Sequence, residues 1–106
     1  MLTKLEDQIL LTVWRMQGKA YGINIFHNLE KRTGKKMAVG VVYFALDRMT
    51  KKGLVDSYKG EPTSARGGMR KRYYRITSAG IAALHKSKKI HDRVWEGFPD
   101  AAHVEP

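Results

Sequence analysis

Cysteine is absent from the 106 residues, so the chain has neither a disulfide framework nor a thiolate metal site. That is compatible with a reducing compartment, and a cytoplasmic location is expected. No run of about 18 apolar residues occurs, so nothing is expected to span a membrane. The N-terminal stretch MLTKLEDQILLTVW carries Glu6 and Asp7, where a secretory signal would have a basic region and then an uncharged one. It is therefore expected to belong to the fold. Acid is scarce: 10 Asp and Glu stand against 20 Lys and Arg, for a formal charge of +10 and a pI near 10.0. An excess of that size on a small chain points to a polyanion as partner, nucleic acid first and an anionic membrane surface second. Ligand spacing is missing too. His27, His85, His91 and His103 are scattered, with no HxxxH, no Ser-His-Asp or Cys-His arrangement and no phosphate-cradling loop before a helix. No metal site, no cofactor and no enzyme activity are expected.

What is present is a regular alternation of elements, enough for a single domain with a modest core. Thr3 and Glu6 have capping-box spacing at the start of a first helix. Leu5, Ile9 and Val13, with Leu10 and Trp14, give it a wide apolar arc, and Gln17-Gly18-Lys19 ends it near Met16. Residues 21–32 (YGINIFHNLEKR) form a second helix, with Ile25, Phe26 and Leu29 on one side and Thr33-Gly34 as its stop. Lys35 and Lys36 lead into a third helix over residues 39–52, closed by Gly53. In that helix Val42, Ala45, Leu46 and Met49 form the apolar stripe, while Val41, Tyr43, Phe44, Asp47, Arg48 and Lys51 lie on the other face. Two short helices across a basic, Gly-containing turn make a helix-turn-helix pattern.

Residues 54–59 and 71–77 are strand candidates, joined through GEPTSARGGMR into a two-stranded hairpin. From residue 57 to 75 there are six basic residues, Lys59, Arg66, Arg70, Lys71, Arg72 and Arg75, against Glu61 alone. That net of +5 is half of the chain's excess. A last helix, capped by Thr77 or Ser78, covers residues 78–98, with Ile81, Leu84, His91, Val94, Trp95 and Phe98 down one side at near-heptad spacing. It carries more apolar surface than a small domain can cover, and a dimerisation helix is expected. Residues 99–106 have no periodicity and read as a tail.

The expected fold is mainly α with a small β-hairpin wing. Residues 1–77 form a winged helix-turn-helix and residues 78–98 a C-terminal dimerisation helix. In such a fold the third helix enters the major groove of duplex DNA, with backbone N–H groups around Ala38, Val39, Gly40 and Val41 near a phosphate. Tyr43, Phe44 and Arg48 belong to the same surface. The wing follows the backbone, and Arg66 or Arg70, flanking Gly67-Gly68, can enter an adjacent minor groove. Lys35, Lys36, Lys59, Lys71 and Arg72 are phosphate-neutralising candidates. The bland alternatives are that Tyr43 and Phe44 are core or dimer contacts, and that the hairpin is only a solvated charged loop.

Three motifs in order resemble the PadR family of transcriptional regulators, in its short form with one C-terminal helix. They are Ala20-Tyr21-Gly22; GVVYFALDRM over residues 40–49 followed by Lys52-Gly53-Leu54-Val55; and the wing residues Gly60-Glu61-Pro62-Thr63, Arg66-Gly67-Gly68, Arg70-Lys71-Arg72-Tyr73-Tyr74, Thr77 and Gly80. The resemblance implies a cytoplasmic homodimer, usually a repressor, on a roughly palindromic DNA operator, with contacts from Tyr21, Tyr43 and the wing, including Tyr73. Ala38 and Val41 depart from it: family members often have Ser or Thr at the first position and Thr at the second. The missing hydroxyls remove a cap and a phosphate ligand. Some members bind planar aromatic compounds between subunits. Trp95, with Trp14 and Phe98 near, is at a comparable place, although packing in the dimer seam is its expected role. The competing functions are a sequence-tolerant nucleic-acid binder, architectural or RNA-directed, and a peripheral membrane or protein-interaction module using the basic last helix.

Overall fold

The computed structural model describes residues 1–61 and 70–101. Its elements run α1 (Lys4–Arg15), β1 (Ala20–Tyr21), α2 (Gly22–Thr33), α3 (Val39–Lys51), β2 (Val55–Lys59), β3 (Arg72–Ile76) and α4 (Ser78–Trp95). The wing tip, with Arg66, Gly67 and Gly68, and the chain end, with His103, lie outside the described residues.

The stripes read in the first three helices supply the core, except Trp14, which is exposed. Ile9, Leu10 and Val13 of α1 meet Ile25 and Leu29 of α2 and Val42, Ala45, Leu46 and Met49 of α3, all buried. Val55 and Tyr74 close the cluster from the strands. The capping box at Thr3 is formed in both directions: Thr3 Oγ accepts from the Glu6 N–H at 3.1 Å, and Glu6 Oε1 accepts from the Thr3 N–H at 2.9 Å. Gly53 stands at φ +75, and the Gly53 and Leu54 N–H groups return to the Thr50 and Met49 carbonyls, closing α3 in the left-handed turn that glycine accepts.

Two features differ from the sequence reading. Among the described residues the sheet has three strands, not two, in the order β1-β3-β2, all antiparallel. The extra strand is only two residues long, too short for any alternation to register. Its Tyr21 is extended rather than helical and gives α2 its entry: Asn24 Oδ1 accepts the Tyr21 N–H at 2.8 Å, and Asn24 Nδ2 donates to the Lys19 carbonyl at 2.9 Å. The last helix stops at Trp95, because Glu96 turns extended and Gly97 takes φ +84. Phe98 therefore lies past the helix, edge-on to the Trp95 ring.

The joint between sheet and α4 is tight. Thr77 Oγ1 accepts from the Gly80 N–H at 3.0 Å and donates to the Gly53 carbonyl at 2.6 Å. A Cβ on Gly80 would overlap the Leu54 carbonyl oxygen, so this position in the first turn of α4 has room only for glycine. Beyond that joint α4 is poorly covered. Gly80 is its one buried residue, and Val94 and Trp95 are 77% and 55% exposed.

Candidate nucleic-acid interface

The outer face of α3 is open along its length. Val39, Val41, Tyr43 and Phe44 are all exposed, as are Ala38 and Gly40 at its start. Ala38 is the N-cap residue and offers no side-chain hydrogen bond, so the first N–H groups of α3 have no side-chain partner there. No acid lies in the first turn, which leaves the positive end of the helix dipole uncompensated. A Cβ on Gly40 would meet nothing within 4 Å, so internal packing gives no reason for glycine there. Lys35 and Lys36 are exposed in the connection immediately before.

Tyr43 is aimed by Gly22. Its ring lies where a Cβ on residue 22 would be, so the side chain is laid across the start of α2 and toward the sheet. That placement puts Tyr21, Tyr43, Arg70, Lys71 and Arg72 around one shallow concavity of about 250 Å³, with Asp47 and Tyr74 beneath. Burial, opposed by Arg72 and helped by Asp47 and Tyr43, pushes the Tyr74 hydroxyl above its ordinary value.

The wing base is organised by a row of tyrosines that sequence reasoning missed. β1 and β2 both pair with β3 so that Tyr21 and Tyr58 flank Tyr73. The Tyr21 and Tyr73 rings are edge-on at 5.8 Å, and the Tyr58 and Tyr73 rings stack at 5.5 Å. Cations cover the ends of the row: Lys71 Nζ is 4.1 Å from the Tyr21 centroid and the Arg75 guanidinium 4.5 Å from that of Tyr58. Tyr58 is fixed by donating to the Gly18 carbonyl at 2.6 Å. The signal was present in the alternation of the strands, but the third member depended on a strand too short to read. Lys59 and Arg72 stand directly opposite in register. Like charges so placed are destabilising, and a bound polyanion would relieve them. Arg72 reaches sideways instead, donating to Ser57 Oγ at 3.0 Å.

Arg48 has a different occupation from the other cations. Its Nε donates to Glu6 Oε2 at 3.2 Å, Lys52 Nζ lies 3.7 Å from the same oxygen, and Glu6 is 1% exposed. Burial alone would push the Glu6 carboxyl up. The Thr3 N–H, Arg48 and Lys52 outweigh it and hold the carboxyl below its usual value. Arg48 thus ties the C-terminal half of α3 to the start of α1, with its guanidinium 5.3 Å from the Phe44 centroid.

Trp14 and Leu84 line a second opening with Leu11, Ile81 and His91, a groove of about 540 Å³ between α1 and α4. Trp95 and Phe98 are not among its walls; Trp95 instead stacks on His91 at 5.5 Å. Among the described residues no cluster of His, Cys, Asp or Glu could hold a metal ion, and no helix is long and apolar enough to cross a membrane.

The profile described as the transcriptional regulator PadR-like family matches residues 9–86. An uncharacterized protein of Lysinibacillus sphaericus is 33% identical over 101 residues, covering 87% of this chain and 89% of its own. Among solved structures, a PadR-like transcriptional regulator from Bacillus cereus is 27% identical with a TM-score of 0.73, covering 95% of this chain and 93% of its own. A transcriptional regulator from Clostridium thermocellum is 28% identical with a TM-score of 0.68, covering 91% and 93%.

Proposed function

Because the chain belongs to the PadR-like family of transcriptional regulators, we propose that it acts as a homodimeric repressor on a roughly palindromic DNA operator. The observation that carries this is the convergence of Tyr21, Tyr43, Arg70, Lys71 and Arg72 on one concavity. Three separate segments, the start of α2, the outer face of α3 and the base of the wing, present aromatic and cationic groups to the same side. A duplex supplies both what the cations need and a groove for α3. The first turn of α3 and Lys35 and Lys36 add to the phosphate contacts.

The dimer reading rests on α4. Ile81, Val94, Trp95 and Phe98 are exposed on or just past it, and Leu11 and Trp14 are exposed on the α1 side of the groove. The radius of gyration is 16.4 Å, against about 13 Å for a compact chain of this length. A second copy laid along α1 and α4 would cover this apolar surface and set two α3 helices for successive major grooves, about 34–36 Å apart. The groove beside Trp14 is also of a size for a small planar aromatic effector; saturable quenching of tryptophan fluorescence by such compounds, with release of DNA, is the outcome that supports it.

In vitro selection of bound duplexes tests the main reading. Enrichment of a two-fold symmetric site with half-sites one helical turn apart is expected, bound by a dimer in sedimentation. Equal affinity for every duplex, as for an architectural or RNA-directed binder, or a monomer at working concentration, overturns it.

A further inference from the structure

Resting on the reading of α3 as the helix that enters the major groove, we propose that the edge formed by Val41 and Phe44 reads pyrimidine C5 methyl groups, those of thymine. Phe44 is 68% exposed and Val41 is 46% exposed, one turn apart on the same side of α3. Lys35 and Lys36 before α3 and Lys51 at its end are exposed cations that favour a polyanion as the neighbour of the helix carrying this open ring.

The polar groups flanking this edge are Arg48 on one side and Tyr43 and Asp47 on the other. The Arg48 Nε–H is held by the buried Glu6, and the guanidinium stands over the Phe44 ring, bracing it. Tyr43 and Asp47 lie on the opposite flank, where they line the concavity shared with Arg72 and Tyr74. Ala38, Val39, Gly40 and Val41 have no polar side-chain atoms. Along this edge, then, α3 presents hydrocarbon from its first turn to Phe44, with the Arg48 guanidinium beside the ring. The thymine methyl is the one apolar feature that base edges show in the major groove, and side chains of this kind recognise it by contact. Gly40, with open space over its Cα, lets the backbone come close enough for both side chains to reach the floor of the groove.

The test uses duplexes recovered by selection and resynthesised with deoxyuridine in place of thymine, one position at a time, which removes only the methyl. Wild-type protein should lose about fourfold in affinity at one or two positions in each half-site, the size expected for one buried methyl. Phe44→Ala or Val41→Ala should be indifferent to the same replacement, and 5-methylcytosine should bind better than cytosine there. The two variants are independent, and both change exposed side chains, so one remains measurable if the other binds too weakly. Unchanged affinity for uracil duplexes, with preference for the selected site intact, overturns methyl readout and leaves the operator reading standing. A uracil penalty of equal size in wild type and both variants also overturns it. A change of oligomeric state in Phe44→Ala with no change in uracil sensitivity does the same, since the ring then meets protein. Failure to enrich any duplex overturns the operator reading itself.

Discussion

Gly22 and Tyr43 are far apart in the chain, and each accounts for the other. The ring occupies the space a side chain on residue 22 would need. Tyr43 is an exposed side chain that can rotate away, so Gly22→Ala should leave thermal stability within about 1 kcal/mol, a cost or gain typical of a glycine-to-alanine change in a helix. Operator affinity should nonetheless fall about tenfold, since a displaced interface ring costs on the order of 1–2 kcal/mol. A loss of stability with affinity per folded molecule unchanged would show Tyr43 to be a packing residue only. Glu6 is the other residue with a distant partner. Its carboxyl is held below the ordinary value, so the stability it contributes is complete above the usual glutamate range, near pH 4.3, and is lost as pH falls through the lowered value. Glu6→Gln should therefore be less stable at pH 7 by about 1–3 kcal/mol. In urea titrations the gap to wild type should narrow between pH 5 and pH 3, and a gap independent of pH would show that charge is not what ties Arg48 to α1.

At the scale of elements, α3 and α4 begin in contrasting ways. α4 starts on Thr77, whose hydroxyl caps the helix and also reaches back to the Gly53 carbonyl. α3 starts on Ala38, which caps nothing. Ala38→Ser should stabilise the protein by about 1 kcal/mol, seen as a rise in Tm, and should tighten DNA binding at moderate salt by adding a hydroxyl beside the first N–H groups. A higher Tm with no gain in affinity would place phosphate away from this helix end. The ends of elements were also where sequence reading and structure parted. Thr3, Gly53 and Thr77 signalled their boundaries because each cap is a local interaction. Tyr21 did not: its local partner is Asn24, not the acid or Gln of a capping box, and its pairing in the sheet is with Tyr73, a residue from the other half of the chain.

For the whole molecule, the excess of cations is the property that reaches furthest. If several phosphates are neutralised by each subunit, operator affinity should fall with salt at a log–log slope of roughly −5 or steeper. Replacing Arg70, Lys71 and Arg72 in turn by Ala should make that slope shallower by about one for each phosphate no longer neutralised. A slope that stays the same through all three changes would put the duplex somewhere other than against β3. The sequence by itself determined the order of elements, the stripes of the core and the side of the chain on which charge collects. Those follow from hydrophobic period, caps and composition, which act over a few residues. Tertiary structure alone decided what each cation touches. Arg48 and Lys71 look alike in the sequence, yet one pairs through Nε with a buried carboxylate from α1 and the other lies over a tyrosine at the concavity. It also decided that Tyr21, Tyr58 and Tyr73 make one row, and that Gly22 leaves space for Tyr43. Such contacts are set by which distant segments the core brings together, and that distance in the chain keeps them out of any local pattern.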